Sequence, residues 1–338
     1  MQSTCFLEGD YIQTIEGLYF TVKGFRHPND RVVAYLRYIP DPSGERVRSG
    51  VRYRRVYDLE STTKYLKENY PNYLSYVDFL GMNVQAVPLS NIFMIYKPSI
   101  VLQQILENPS TKLERLVGRF TSILNAESEV PFEKFGVSGS LLIGLATTDS
   151  DLDLIVYGEN SCRRVYKALK QLRQISSEVK GYDSTTVKRV VLSRWSDTGI
   201  DLGKFFNIEI QKNLHGYFNE SEYFLRLVKI PDIFELYSKP IRVVRGEVTI
   251  SDDCDSIFTP CRYEANEAKI FDPADDFNII DLVSFRGKFT EQAKKGDCVE
   301  FKGLLEEVTF TDRVRYRVIL GGKGDYLINK KLLGRNLL

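Results

Sequence analysis

The residues with the clearest chemical potential lie in one short segment, residues 136–158. Gly139-Ser140 is followed, after ten intervening residues, by Asp151-Leu152-Asp153, and the apolar residues 154–157 come next. Alternate side chains of an extended strand share a face, so the two Asp carboxylates would point the same way, with Cα atoms about 6–7 Å apart. Two such carboxylates can share a divalent cation. A Gly-Ser pair that opens a helix offers free backbone N–H groups to phosphate, so the segment predicts chemistry on a phosphoryl or nucleotidyl group.

Other chemistries that such residues could support fit this chain less well. The acids 149, 151 and 153 have the spacing of a calcium loop, but that loop needs Gly at its sixth position and Glu at its twelfth, where this chain has Leu154 and Asn160. No Gly-x-x-x-x-Gly-Lys-Ser/Thr sequence is present, which excludes a P-loop enzyme. The remaining alternative is structural: the acids would form a solvated strand end and the glycines a tight turn.

The segment resembles the signature of the DNA polymerase β-like nucleotidyltransferase superfamily, a Gly-Ser pair followed at a short distance by an acidic-apolar-acidic strand. The layout of the whole chain also resembles the uncharacterised predicted nucleotidyltransferases of archaea. The resemblance implies that Asp151 and Asp153 are catalytic residues that hold Mg²⁺ or Mn²⁺. It also implies that Gly139 and Ser140 bind the phosphates of an NTP substrate.

Members of this superfamily usually carry a third carboxylate on a later strand beside the acidic pair, where it serves as general base. The strand predicted over residues 222–230 has no acid in its interior. Glu209 lies between apolar neighbours in residues 206–210 and fits the requirement locally. The same residues could instead form one turn of a helix with Glu209 on a solvated face, so the third catalytic position stays open.

Two classes of function follow from the resemblance. In the first, the protein is a nucleotidyltransferase that moves a nucleoside monophosphate from an NTP to a hydroxyl of RNA, protein or a small molecule. In the second, it is a non-catalytic nucleotide- or RNA-binding protein built on a degenerate nucleotidyltransferase domain. The intact acidic pair favours the first class, and loss of the third carboxylate would favour the second.

The whole-chain composition is that of a globular protein with a substantial core. The chain has 338 residues, 43% of them apolar and 27% charged, with a net charge of +1, so no global excess of positive charge indicates nucleic-acid binding. The amino-terminal residues lack the basic and apolar regions of a signal peptide. No apolar run approaches the ~18 residues of a membrane span, so we expect a cytoplasmic protein without membrane contact; nothing indicates its oligomeric state.

The predicted elements divide the chain into three domains of an α+β multidomain protein. Residues 1–97 alternate like β-structure and form an N-terminal α+β domain, with a helical pattern over 59–80. Residues 98–240 hold the acidic strand and suit an α/β nucleotidyltransferase domain with a small mixed sheet. Short strands over residues 241–338 predict a small β-barrel or sandwich, and an oligonucleotide-binding-type barrel is compatible with them.

A basic segment with interleaved aromatic residues occurs in the N-terminal domain, over Arg46–Tyr57. Basic residues among aromatic ones can hold a phosphate backbone and stack bases. The segment is therefore a candidate RNA contact. Acidic residues nearby leave the alternative of a hairpin with a solvated basic face.

Overall fold

The computed structural model describes residues 6–195, 198–231, 235–272, 274–275 and 277–332. The fold is α+β, as predicted, and the chain forms two compact units. Unit 1 comprises Met1–Asp78, Met82–Ala168 and Ser221–Ile230, and unit 2 comprises Phe79–Gly81, Leu169–Glu220 and Pro231–Leu338. The three-domain division stays a prediction, because these units divide the chain at other positions.

The N-terminal part of unit 1 is a sheet with the strand order β4-β5-β3-β2-β1-β8, in which β7 also pairs with β3 and with β6. Its strands and its helix are β1 (Tyr11–Thr14), β2 (Tyr19–Val22), β3 (Arg31–Pro40), β4 (Arg46–Arg48), β5 (Val51–Arg55), α1 (Leu59–Asn69), β6 (Leu74–Val77), β7 (Met82–Pro88) and β8 (Ile92–Tyr96). The helix predicted over 59–80 is therefore too long. It ends at Asn69 because Tyr70 leaves helical geometry and Pro71 begins a short 3-10 turn.

The rest of unit 1 is a small mixed sheet with helices. Its elements are α2 (Pro98–Glu107), α3 (Lys112–Ser128), β9 (Phe135–Val137), α4 (Gly139–Leu142), β10 (Leu152–Tyr157), the start of α5 (Glu159–Ile175) and β13 (Ser221–Val228). β10 pairs antiparallel with β9 and parallel with β13, which confirms the predicted mixed sheet.

Helix α3 shows how the sequence fixes one element of this sheet's support. Thr111 and Glu114 form a capping box, each side chain accepting a hydrogen bond from the other's backbone N–H, so the first turn has partners for its free donors. The buried residues Val117, Phe120 and Leu124 follow at helical spacing. The Phe120 ring packs 5.0 Å, centroid to centroid, from Tyr223 of β13.

Unit 2 contains a closed five-stranded barrel, as the sequence suggested. Its elements are β11 (Val179–Lys180), α6 (Ser184–Trp195), α7 (Leu202–Glu209), β12 (His215–Phe218), β14 (Tyr237–Asp252), β15 (Cys261–Asp272), β16 (Ala274–Asp275), β17 (Ile279–Ser284), β18 (Cys298–Thr309), β19 (Val314–Ile319) and β20 (Tyr326–Asn329). The barrel closes in the order β14-β15-β17-β19-β18-β14, with β17 and β19 parallel and the other pairs antiparallel. This closed Greek-key arrangement resembles that of oligonucleotide-binding barrels.

The barrel interior is filled by alternate residues of its strands. Val248, Tyr263, Leu282, Phe301 and Val318 are among its buried members, each at most 1% exposed. The residues between them on β18, such as Glu300 and Lys302, consequently face outwards. In the described part of the chain, no helix is both long and apolar enough to span a membrane.

Candidate active site

Gly139 and Asp153 come so close that only glycine fits at residue 139. A Cβ atom on Gly139 would lie 1.9 Å from Asp153 Oδ2, and the residue has a left-handed φ of +62°. The backbone N–H of Ser138 donates to the carbonyl of Asp153 at 2.8 Å. The two parts of the sequence motif, the Gly-Ser pair and the acidic strand, therefore meet in the structure. The helix predicted at the Gly-Ser pair is a single turn, α4.

Asp153 lies on the face of β10 opposite to Leu152, Leu154 and Val156. Leu152, Leu154 and Val156 are at most 1% exposed, whereas Asp151 is exposed and Asp153 is partly buried. Burial, and after it the negative charge of Asp151, raise the pKa of Asp153 to about 6, although nearby arginines partly offset the shift. The pair is thus a site of unfavourable negative charge, which a cation would relieve.

Ser140 is buried and takes part in a network centred on Ser150. The Ser140 hydroxyl donates to Ser150 Oγ at 3.2 Å, and the Thr147 backbone N–H donates to the same oxygen at 2.9 Å. Arg46 Nη1 of β4 also lies 3.3 Å from it and donates to the carbonyl of Leu145 at 2.7 Å. The loop between the Gly-Ser pair and the acidic strand is therefore held by a residue of the N-terminal sheet.

The basic segment Arg46–Tyr57 is only partly placed to contact RNA. Arg46 is 8% exposed, and Arg48 Nη1 donates to the carbonyl of Ile143 at 2.7 Å and to the Tyr19 hydroxyl. The guanidinium groups of these two residues donate to the loop next to Ser140, and the RNA contact stays a prediction. The three later arginines of β5 remain exposed.

Comparison with known proteins identifies this part of the chain. Residues 123–209 match the family model of the nucleotidyltransferase domain. These residues therefore resemble a nucleotidyltransferase domain. The chain is also 27% identical over 328 residues to an uncharacterised protein of Methanocaldococcus jannaschii, an alignment that covers 93% of this chain and 94% of that protein. No solved structure matches this chain significantly. The resemblance inferred from the sequence is confirmed.

Glu209, the last of the matched residues, does not lie on a strand. Residues 202–209 form α7, with Glu209 at its end and 1% exposed. Its carboxylate accepts from Lys212 Nζ at 2.5 Å, and the same amine donates to the carbonyl of Lys288 at 2.6 Å. Of the two alternatives for residues 206–210, the strand is wrong and the helix is confirmed, because apolar residues at 205 and 208 recur at helical spacing and Asp201 caps the helix. Glu209 is buried, however, and does not lie on a solvated face. Glu209 forms a buried ion pair in unit 2.

Glu222 is an acid that the sequence argument passed over. β10 and β13 are parallel with Leu152 opposite Tyr223, so Asp151 and Glu222 occupy the preceding position on neighbouring strands. Leu152 and Tyr223 are both buried, so alternation directs Glu222 to the same face as the acidic pair. Glu222 was the first residue of the strand predicted over 222–230 and so lay outside its interior. In the structure it is the second residue of β13.

The acidic pair suits a hard divalent cation, although the protein alone does not preform a full site. Among the described residues, no group of three or more His, Cys, Asp and Glu side chains is arranged to hold a metal ion. Mg²⁺ commonly uses one or two carboxylates and completes its shell with waters and substrate phosphates. Two carboxylates on one face, one with a raised pKa, therefore fit Mg²⁺ or Mn²⁺.

We expect Gly139→Ala to destabilise the protein by about 3 kcal/mol, since the new methyl group combines a left-handed backbone with a collision against Asp153. Gly158→Ala is the matched control, because Gly158 has a φ of +92° but no atom lies within 4 Å of the point that its Cβ would occupy. It should cost about 1 kcal/mol. Urea unfolding followed by circular dichroism measures both, and equal losses would contradict the close contact.

We expect Asp153→Asn to increase the stability of the metal-free protein at pH 8 by about 2 kcal/mol, and to change it little at pH 3. The pKa of Asp153 is raised to about 6 in the folded state, so the folded protein loses stability as the pH rises from about 4 through this value. Asn removes the charge that causes this loss. Unfolding in EDTA at both pH values provides the measurement, with the exposed Asp149→Asn as control; a destabilised variant at pH 8 would refute the expectation.

We expect Glu209→Gln to destabilise the protein by about 3 kcal/mol, because it leaves the buried Lys212 ammonium without its carboxylate. Glu159→Gln is the control, since Glu159 pairs with Arg163 and Lys229 at the surface and should cost less than about 1 kcal/mol. Urea midpoints test both. If the Glu209→Gln protein has normal stability but has lost nucleotidyl transfer, the result would instead support a catalytic role for Glu209.

Proposed function

We propose that the protein is a metal-dependent nucleotidyltransferase that moves a nucleoside monophosphate from an NTP to a hydroxyl acceptor on RNA, protein or a small molecule, with release of pyrophosphate. The observation that carries the proposal is the contact between Gly139 and the Asp153 carboxylate. It brings a backbone segment suited to phosphate next to a pair of carboxylates suited to a divalent cation. A solvated strand end and an ordinary turn would not require so close a contact between Gly139 and the Asp153 carboxylate.

Asp151 and Asp153 would hold Mg²⁺ or Mn²⁺ together with the triphosphate. When bound, the cation neutralises charge on the phosphates and lowers the pKa of the attacking hydroxyl. The raised pKa of Asp153 supports this assignment, since burial and the charge of Asp151 both oppose an ionised carboxylate in the absence of a cation. Strain of this kind is typical of residues kept for function rather than for stability.

Gly139 and Ser140 would position the phosphates of the NTP. Gly139 has no side chain that would keep a phosphate from the backbone, and the Ser140 hydroxyl can rotate from Ser150 Oγ to a phosphate oxygen. Because α4 is one turn long, we assign phosphate binding to these groups and not to a helix dipole. The guanidinium groups of Arg226, Arg55 and Arg46 act electrostatically on Asp153 and add positive charge to this face.

Glu222 is the residue that we assign to the third carboxylate position. It is the second residue of β13, the strand next to β10, and shares a face with the acidic pair. In that position it would accept the proton of the attacking hydroxyl as general base. Glu209, by contrast, has a structural role in its pair with Lys212.

The test uses each α-labelled NTP with Mg²⁺ or Mn²⁺ and total RNA, and follows transfer of the label. We expect Asp153→Asn to reduce transfer by about a thousandfold or more, because it removes a metal ligand while keeping the shape of the side chain. Glu222→Gln should lower kcat by about a hundredfold while the affinity for NTP is retained, as expected for loss of a general base. Glu220→Gln, an exposed neighbour, is the control.

Calorimetric titration with a non-hydrolysable NTP separates the two function classes. The transferase requires NTP binding that depends on the metal and on Asp153. NTP binding that ignores both, or no NTP binding with any metal, would contradict the transferase. RNA binding that persists under those conditions would then favour the non-catalytic alternative.

A further inference from the structure

A cavity in unit 2 lies on the outer surface of the barrel. It measures about 630 Å³ and lies between the outward side of β14, β18 and β20 and the segment that leads into α7. Its lining includes the polar residues Lys204, Arg245, Glu300, Lys302 and Tyr326. We call this cavity the barrel groove. Its volume is within the range of small-ligand sites.

Two cationic residues, Arg245 and Lys302, lie opposite each other on neighbouring strands that line the barrel groove. Arg245 of β14 is the register partner of Lys302 of β18, and Lys302 is the partner of Tyr326 of β20. Like charges directly opposite each other on neighbouring strands destabilise a sheet. Arg245 is compensated by Glu300, whose Oε1 it approaches to 2.8 Å, and the Tyr326 hydroxyl donates to that same oxygen at 2.6 Å. The Glu300 carboxylate is thus already bound by Arg245 and Tyr326. On the two neighbouring strands, the residues opposite Lys302 are Arg245 and Tyr326, and neither is acidic.

The opposite wall adds a second uncompensated cation. Lys204 lies in the first turn of α7, and the nearby Asp201 carboxylate accepts from the backbone N–H groups of Gly203 and Lys204 as the helix cap. Over the described ranges, neither the Lys204 nor the Lys302 amine makes a hydrogen bond or an ion pair. Both side chains are partly buried. An anion between them would offset the cost of holding these charges together.

The groove also offers surfaces for a planar or apolar group. The Tyr326 ring forms part of its wall, and its place is fixed because Gly199 comes so close that a Cβ there would lie 2.8 Å from Tyr326 Cδ1. Val243, which is half-exposed, and Ile200 are also in the wall. A phosphate set between lysines next to an aromatic ring is the pattern by which proteins bind single nucleotide units.

We propose that the barrel groove binds a nucleotide unit, with its phosphate between Lys204 and Lys302 and its base against the Tyr326 side of the cavity. The unit can come from a free nucleotide or from a single strand of nucleic acid. This site is separate in its residues from the Gly139–Asp153 site, and it does not require the divalent cation.

Fluorescence anisotropy of the full chain with labelled oligouridylate, in EDTA and across a salt series, tests the proposal. The Asp153→Asn background removes any contribution of the metal-dependent site, so failure of the proposed transferase does not affect the result. We expect Lys204→Gln with Lys302→Gln to weaken binding about tenfold or more. The slope of log affinity against log salt should become shallower by about 1.4, the value for two lost contacts to a single strand.

Lys239→Gln is the matched control, an exposed lysine of β14 outside the groove, and circular dichroism verifies that all variants are folded. Competition with UMP and with inorganic phosphate defines the ligand. Tighter binding of the oligonucleotide than of UMP identifies a strand as the source, and equal affinities identify a free nucleotide. The proposal is overturned if the wild type binds neither, if the double variant behaves like Lys239→Gln, or if phosphate competes as well as UMP.

Discussion

The approach of the Asp153 carboxylate to the backbone of Gly139 is the constraint on which the rest of the candidate site depends. It fixes the left-handed conformation of Gly139 after β9, and therefore the position of Ser140. The pairing of β9 with β10 enforces it, with Val137 opposite Leu154 and Gly136 opposite Ile155. Gly136 is itself restricted, since a Cβ there would lie 2.5 Å from Pro98 and 2.9 Å from Ile155. Two close backbone approaches therefore set one register.

The stability of the sheet around this site offsets the cost of its charges. Four apolar residues of β10, Leu152 and residues 154–156, are at most 1% exposed, and burial of each such side chain stabilises the fold by about 2 kcal/mol. The pKa shift of Asp153 to about 6 represents an opposing cost of similar size for one residue. A strand that is buried on both sides can thus present an unfavourable carboxylate at its start without losing its position.

Local patterns in the sequence predicted the elements of the site better than their partners. The motif spacing predicted the acidic strand and its neighbouring glycine, because alternation and φ preference act over a few residues. Glu209 was misplaced because a carboxylate between apolar residues fits a strand edge and a buried helix end equally, and its partner Lys212 decides between them. Glu222 depends on the parallel register of β10 and β13, which joins residues far apart in the chain. The inward direction of Arg46 likewise depends on tertiary contacts.

The contribution of Arg46 shows why the family match alone does not delimit the working site. Arg46 and Arg48 lie outside the matched residues 123–209, yet their guanidinium groups donate to the carbonyls of Leu145 and Ile143. Those carbonyls belong to the loop that joins the Gly139-Ser140 pair to the acidic strand, and a buried carbonyl without a donor costs about 1–3 kcal/mol. The N-terminal sheet therefore completes the loop's hydrogen bonding, and the segment that the sequence suggested as an RNA surface in part supports the loop of the candidate site.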